Sequence, residues 1–247
     1  MNIVVIGGTG LLGSKIVTRL QESGHEAVAA SPGTGVNTIT GQGVAEALAP
    51  AEVVIDASNS PAWDDEAVMD FFQTSSGNLV QEAERAGIKH YVAMSIVGAD
   101  ELPDSGYLRA KVEQERIVDN GAVPFTIVRA TQFFEFIGRI ADSATSGTTV
   151  ELPAANFQPV AADELASAVA EIATGEPRNR VVEVAGPEPL PMGDAVAQVL
   201  RAAGDTRKVV TDPDARYFGT TLELDSLVAG ESARLTRTRL ETWLTGH

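Results

Sequence analysis

Asn2-Ile-Val-Val-Ile-Gly-Gly-Thr-Gly-Leu-Leu-Gly13 is the stretch of sequence that decides the fold of this 247-residue chain. The β-branched run at its start predicts a buried strand, and a helical pattern begins directly after the glycines. This order of strand, tight turn and helix places a diphosphate over the positive N-terminus of a helix. The glycines fit a Gly-x-Gly-x-x-Gly spacing counted from Gly8 and a Gly-x-x-Gly-x-x-Gly spacing counted from Gly7. Both spacings predict a dinucleotide-binding turn.

The composition narrows the classes of partner. The chain has a net charge of −16, with 44% apolar and 21% charged residues. This charge disfavours nucleic acid and anionic membranes, since both bind clusters of Lys and Arg. There is no cysteine, which excludes disulfides and thiolate catalysis, and the histidines do not have metal-ligand spacing. The expectation is a cytoplasmic protein that acts on a small molecule without a metal.

Strands and helices alternate along the first half of the chain, a pattern typical of a doubly wound parallel sheet in the α/β class. The residue pair Ser60-Pro61 predicts the start of a long helix, with Ser60 as its N-cap. Predicted strands cover 3–6, 27–30, 53–57, 90–94 and 124–128, and predicted helices cover 11–22, 44–48, the segment from Ser60 to Gly87, and 106–118.

The pattern is looser after Thr131. We expect a single domain over residues 1–247, in which residues 132–247 contribute a small C-terminal substrate-binding cap. The predicted helices of this part cover 132–144, 163–173, 193–203 and 233–244, and the predicted strands cover 148–152 and 180–184.

Tyr107 and Lys111 lie four residues apart on a predicted helix and therefore share one face of it. An ammonium beside a phenol favours the phenolate, so this pair predicts a tyrosine with a lowered pKa that exchanges protons with a carbonyl or an alcohol. Ser95 lies where the preceding strand ends, at the edge of the sheet where ligands of α/β proteins bind. Its hydroxyl is expected to hydrogen-bond the same substrate oxygen.

These features together resemble the short-chain dehydrogenase/reductase superfamily, and most closely its atypical NmrA-like and NAD(P)H-binding branch. The turn Gly7-Gly8-Thr9-Gly10-Leu11-Leu12-Gly13 matches the Gly-x-x-Gly-x-x-Gly form of that branch, and Ser95, Tyr107 and Lys111 match its active-site residues. The segments Val128–Thr131 and Gln158–Asp163 are similar to the strand end near the nicotinamide and to the lead into a late helix. The resemblance covers the whole chain and implies a Rossmann-like fold.

The resemblance also implies a role for each matched position. Tyr107 would be the general acid or base, Ser95 would orient the substrate, and Lys111 would lower the pKa of the tyrosine and bind a ribose hydroxyl. NADP(H) would be the cofactor and would carry the hydride, with NAD(H) as the alternative. The remaining implied cofactor-binding residues are Gly7, Gly8, Thr9, Gly10, Leu11, Leu12, Gly13, Ser31, Ala57, Ser58, Asn59, Ala130 and Thr131.

Two positions depart from the family pattern. Phe71 and Phe72 stand where many members carry an active-site asparagine, which puts a proton relay through that residue in doubt. Ser31 stands where an acid would hold the adenosine ribose, and there is no Asp or Glu between Glu26 and Glu46. The missing carboxylate favours NADP(H), and the Ser31 and Thr34 hydroxyls would donate to its 2′-phosphate.

Phe133, Phe134 and Phe136 follow Thr131 and are predicted to line the substrate pocket, and Trp63 and the Tyr217-Phe218 pair are weaker candidates. Few cations lie near these segments, so a neutral and fairly apolar carbonyl or alcohol is the expected substrate. We therefore predict an NADP(H)-dependent oxidoreductase that is a monomer or a homodimer. The alternatives are a non-catalytic NmrA-like regulator that senses dinucleotides, and an epimerase or lyase that uses bound nicotinamide transiently.

Overall fold

A seven-stranded sheet, all of whose strand pairs are parallel, forms the centre of the computed structural model, which describes residues 1–246. Its strands are β1 (Asn2–Ile6), β2 (Glu26–Ala30), β3 (Val53–Asp56), β4 (His90–Ile96), β5 (Phe125–Ala130), β9 (Val181–Ala185) and β12 (Arg234–Leu235). Helices α1 (Leu11–Glu22), α2 (Val44–Leu48), α3 (Asp65–Ala86), α4 (Gly106–Asp119) and α6 (Ala162–Thr174) connect these strands and cover the sheet. The predicted doubly wound α/β fold is confirmed.

The order of the strands locates the ligand-binding edge. From one side of the sheet to the other it is β12-β9-β5-β4-β3-β1-β2, so the chain reverses its direction of winding between β1 and β3. Ligands of open α/β sheets bind at such a reversal, outside the carboxyl ends of the strands. The glycine turn follows β1 and residue Ala57 follows β3, so both segments lie at this point.

The later part of the chain builds two small sheets beside the main one. Strands β6 (Thr145–Ser146), β7 (Thr149–Leu152) and β11 (Lys208–Thr211) form one of them, and β8 (Asn156–Phe157) and β10 (Leu190–Pro191) form the other. Helices α5 (Ile137–Ser143), α7 (Met192–Ala202) and α8 (Leu240–Thr245) accompany them. Leu108 of α4 belongs to the same apolar cluster as Phe157, Tyr217 and Leu227, so this region packs directly on the helix that carries Tyr107.

Three predicted element boundaries were wrong. Asp64, not Ser60, caps α3, because its Oδ1 accepts the Ala67 N–H at 3.0 Å while the Ser60 hydroxyl accepts the Ala62 N–H in a local turn. Residues 132–144 form a short 3₁₀ turn at Phe134–Phe136 before α5. The final helix is only α8, because Arg234–Leu235 pair with β9 as an edge strand.

None of the helices within residues 1–246 is long and apolar enough to cross a membrane.

Candidate functional site

The glycine turn after β1 is packed so closely that side chains do not fit in it. Gly7 has φ +73°, and a Cβ at this position would lie 2.5 Å from the carbonyl oxygen of Ala57. A Cβ at Gly13 would lie 2.2 Å from the carbonyl oxygen of Gly7. The first glycine therefore permits the turn and its contact with β3, and the last one lets α1 approach the turn.

The N-terminus of α1 is free to bind an anion. Gly10 is its cap residue and has no side chain with which to cap the first N–H groups of this helix. The first N–H groups of a helix have no partner within it, and the helix dipole makes this end positive. Leu11 is half-exposed beside it, and Leu12 and Gly13 are buried behind it. The glycine turn and the N-terminus of α1 together form a cradle that fits the diphosphate of a dinucleotide.

Ser31, at the end of β2, carries a buried hydroxyl for which residues 1–246 provide no hydrogen-bond partner. Thr34 is different, because its Oγ1 accepts the Ser31 N–H at 2.9 Å and lies 3.0 Å from the Ser31 carbonyl oxygen. The Thr34 hydroxyl thus closes the turn, and the Ser31 hydroxyl is the one of this pair that makes no hydrogen bond within residues 1–246. An unpartnered buried hydroxyl normally marks a ligand contact or a missing water.

Asn59, on the loop after β3, holds the phenol of Tyr107. The Tyr107 hydroxyl donates to Asn59 Oδ1 at 2.8 Å. Helix α4 presents the tyrosine here because Ser105 caps that helix two residues earlier. The ring lies edge-on to Phe72 (centroids 6.1 Å apart) and stacks on Trp63 (5.7 Å). Sequence reasoning assigned Asn59 to the cofactor and missed this contact, since the two residues are 48 positions apart.

Lys111 points inward rather than toward the phenol. Its ammonium donates to Gln114 Oε1 and lies 4.3 Å from the centre of the Phe72 ring, as a cation–π pair. Gln114 in turn donates from Nε2 to Asp56 Oδ2 at 2.9 Å, and that carboxylate also accepts the Tyr91 hydroxyl at 3.2 Å. The other oxygen of Asp56 accepts both the N–H and the hydroxyl of Ser58. This network was not predicted from the sequence.

The predicted lowering of the tyrosine pKa was wrong. Burial raises the pKa of Tyr107 to about 12, and the hydrogen bond to Asn59 opposes this shift only in part. Burial also lowers the pKa of Lys111 to about 8, against the favourable charges of Asp56 and Glu115. The physical reason is that the ammonium is directed to Gln114 and Asp56, so desolvation dominates at the phenol.

Two further unpartnered hydroxyls lie at the ends of neighbouring strands. Ser95, near the end of β4, and Thr131, directly after β5, each carry a buried oxygen for which the described residues offer no hydrogen-bond partner. Ile96 pairs with Ala130 in this part of the sheet. Ser95, Ala130 and Thr131 therefore lie along the ligand-binding edge, where buried hydroxyls fit a polar ligand.

The three phenylalanines after Thr131 have different surroundings. Phe134 is a core residue, a correction to its predicted place in the pocket, because it is 2% exposed and packs on Trp243 at 5.5 Å. Phe133 packs against the core cluster below the main sheet. Phe136 alone lies near the other aromatic candidates, 6.1 Å from the ring of Phe218.

Loss of the Gln114 amide should destabilise the protein. Gln114→Met removes both hydrogen bonds and leaves the Lys111 ammonium without an acceptor from residue 114 at a fully buried position. We expect a loss of about 2–3 kcal/mol in the free energy of unfolding and a fall in Tm of roughly 4–12 °C by calorimetry. The matched change Gln81→Met, at an exposed position of α3, should stay within about 0.5 kcal/mol. Equal stabilities of the two variants would contradict the network.

Comparisons with known proteins identify the family of this chain. A family model described as NAD(P)H-binding matches residues 35–176, more than half of the chain. The photosystem II assembly factor Ycf39 of Synechocystis is 31% identical over 156 residues, which are 57% of this chain and 48% of that protein. This chain thus spans about half the length of that relative.

Solved structures share the fold at low sequence identity. A short-chain dehydrogenase/reductase superfamily protein from Agrobacterium tumefaciens with bound NAD has a TM-score of 0.76 at 14% identity, over 100% of this chain and 95% of that one. UDP-glucose 4-epimerase from Thermus thermophilus in complex with NAD has a TM-score of 0.72 at 16% identity, over 92% of each chain. The chain therefore belongs to the NAD(P)H-binding family and has the fold of short-chain dehydrogenases/reductases, as the resemblance implied.

Proposed function

We propose that this protein is an NADP(H)-dependent oxidoreductase that reduces a small, fairly apolar carbonyl compound. The observation that carries the proposal is the Tyr107 phenol, which is hydrogen-bonded to Asn59 and lies one helical turn before Lys111 on α4. The unpartnered hydroxyls of Ser95 and Thr131 lie at the strand ends on the same edge of the sheet. A proton donor next to a dinucleotide cradle is the arrangement that carbonyl reduction requires.

The residues that would hold the coenzyme follow from the cradle. Gly7 to Gly13 would bind its diphosphate, Ser31 would bind the adenosine ribose or its 2′-phosphate, and the segment Ala57–Asn59 would flank it. Lys111, Ala130 and Thr131 would lie on the nicotinamide side. When bound, the coenzyme would supply the hydride. The missing carboxylate at Ser31 supports NADP(H) over NAD(H), since no negative charge there repels a 2′-phosphate.

Tyr107 would act as the general acid. With a pKa of about 12, only about 10⁻⁵ of the phenol is ionised at pH 7. The proton is therefore in place for a carbonyl oxygen that takes over the hydrogen bond now made to Asn59 Oδ1. Ser95 would donate a second hydrogen bond to that oxygen, and Asn59 would hold the phenol in place until the substrate binds.

The raised pKa of Tyr107 predicts how the rate in each direction depends on pH. Because the pKa of Tyr107 in the folded protein lies near 12, the phenol stays protonated throughout pH 6–10. The small fraction of phenolate, the base that alcohol oxidation needs, increases about tenfold per pH unit over this range. We expect NADPH oxidation with a carbonyl panel at pH 7, and alcohol oxidation by NADP⁺ that rises steeply from pH 7 to 10. Initial rates in both directions test this. Oxidation that is independent of pH, or no turnover with any carbonyl, would contradict the proposal.

The alternatives make different predictions with the same protein. The assembly-factor name of the Ycf39 relative supports a non-catalytic, dinucleotide-sensing role, which would give NADPH binding and a captured partner protein without NADPH oxidation. The epimerase with the same fold supports transient use of the coenzyme, which would give product without net NADPH consumption. Absorbance at the NADPH band separates the oxidoreductase from both alternatives, and product formation separates an epimerase from a non-catalytic protein.

A further inference from the structure

Four aromatic side chains from different parts of the chain form a continuous aromatic wall, composed of Trp63, Tyr107, Phe136 and Phe218. Trp63 stacks between Tyr107 (centroids 5.7 Å apart, planes at 28°) and Phe218 (6.4 Å, 15°). Phe136 continues the wall at 6.1 Å from Phe218. Trp63 and Phe218 are 54% and 38% exposed, so the wall has ring surface open to solvent next to the Tyr107 phenol.

The backbone at Phe218 is in a conformation that bulky residues avoid. Its φ is +43°, and it precedes Gly219 at φ +87° in a turn that Tyr217 and Thr220 close with hydrogen bonds of 2.8 and 3.1 Å. Glycine, Asn or Asp normally occupies such a position, and an aromatic residue there is strained. Turn stability therefore does not explain a phenylalanine. The Phe218 ring packs edge-on against Tyr217 (centroids 4.8 Å apart) and also lies against Trp63 and Phe136, which places it in the wall.

Two arginines that lie beside the wall in sequence are already held by other groups. Arg109 and Arg216 are the arginines nearest to Tyr107 and Phe218 in sequence. Arg109 pairs with Asp65 at 2.7 Å, and Arg216 donates to the carbonyl oxygen of Gly219 at 3.1 Å. A phosphorylated substrate would be held by a bidentate arginine clamp. Exposed ring faces instead select flat, neutral π-systems, which stack with a geometry that saturated groups cannot copy.

We propose that the aromatic wall binds a flat, conjugated carbonyl compound, and that Trp63 and Phe218 select it over saturated carbonyls. This inference rests on the proposed function for the position of the carbonyl next to Tyr107. The stacking itself does not depend on turnover. Saturated rings of the same size are at least as apolar, so a merely hydrophobic pocket would not prefer the aromatic compound.

The test compares two ketones with the same carbon skeleton, acetophenone and cyclohexyl methyl ketone. Their dissociation constants are measured by ligand-observed NMR titration in the presence of NADP⁺, and kcat/KM is measured with NADPH. We expect the wild-type protein to favour acetophenone at least tenfold in both measurements. Trp63→Leu and Phe218→Asn should each reduce the preference to threefold or less.

Phe218→Asn also has a second readout. Asn adopts positive φ more readily than Phe, so this variant should keep or raise Tm while it loses the preference. The control Leu224→Asn changes another exposed apolar residue, 60% exposed and outside the wall, and should retain the preference. A large fall in Tm for Phe218→Asn would contradict the assignment of the phenylalanine to binding.

The outcomes separate the two proposals. Equal binding of the two ketones, no binding of either, or a preference that survives in the Trp63→Leu/Phe218→Asn double variant would overturn the aromatic wall. Selective binding of acetophenone without turnover of any carbonyl would support the wall and overturn the proposed function. Equal turnover of both ketones would leave the proposed function standing and overturn the wall.

Discussion

Tyr107→Phe is expected to lower kcat/KM for carbonyl reduction by about 10²–10⁴-fold, the usual contribution of a positioned general acid. The substitution deletes one oxygen, which is the atom that donates to Asn59 at 2.8 Å. The ring remains, and with it the contacts to Phe72 and Trp63. Steady-state kinetics with NADPH and the best carbonyl of the panel provide the measurement.

NADPH binding and thermal stability of the Tyr107→Phe variant serve as controls. Because the phenol hydroxyl contacts Asn59 and not the glycine turn, the dissociation constant for NADPH should change by no more than about twofold, and Tm should fall by only a few degrees. Full turnover in Tyr107→Phe would remove the tyrosine from the mechanism. Loss of NADPH binding would instead show that the phenol serves the cofactor.

Gly13→Ala should have the second largest effect, on coenzyme binding. The new methyl would lie 2.2 Å from the carbonyl oxygen of Gly7 and 2.8 Å from the Cα of Gly8, so α1 and the turn must separate. Overpacking of this kind costs up to about 3 kcal/mol. Where this cost destabilises the NADPH complex and not the free protein, NADPH affinity falls on the order of 100-fold. Fluorescence titration of NADPH measures it.

Gly77→Ala is the matched control for that experiment. Gly77 lies inside α3, and a Cβ there meets no atom within 4 Å. This change should leave NADPH affinity unaltered and should stabilise the helix by roughly 0.5–1 kcal/mol. A folded Gly13→Ala protein with wild-type NADPH affinity would show that the turn does not hold the diphosphate.

Features with local causes were predictable from the sequence. The β-branched run before Gly7 and the apolar stripe of α1 set strand, turn and helix within a dozen residues. The alternation of such units then leads to a parallel sheet with its ligand-binding edge at the strand ends. The placement of Tyr107 and Lys111 on helix α4 was predicted in the same way, from the helical pattern around them.

The electrostatics of the site could not be predicted, because they arise from contacts between distant segments. Asp56 is 58 positions from Gln114, and their hydrogen bond draws the Lys111 ammonium inward. A helical spacing gives two side chains a common face but does not give their final directions. Contacts between residues far apart in sequence explain both the wrong pKa expectation for Tyr107 and the missed contact with Asn59.

The short segment from Ala57 to Trp63 touches both halves of the site. Ala57 lies against Gly7, Asn59 accepts a hydrogen bond from the Tyr107 hydroxyl, and Trp63 stacks on the Tyr107 ring. Redesign of this segment would therefore alter nucleotide and ketone recognition together. Ser31 is a separate position for substitution, since it lies at the end of β2 and its hydroxyl makes no hydrogen bond within residues 1–246. Changes to nucleotide preference are best made at Ser31, because substitutions there leave the surroundings of Tyr107 undisturbed.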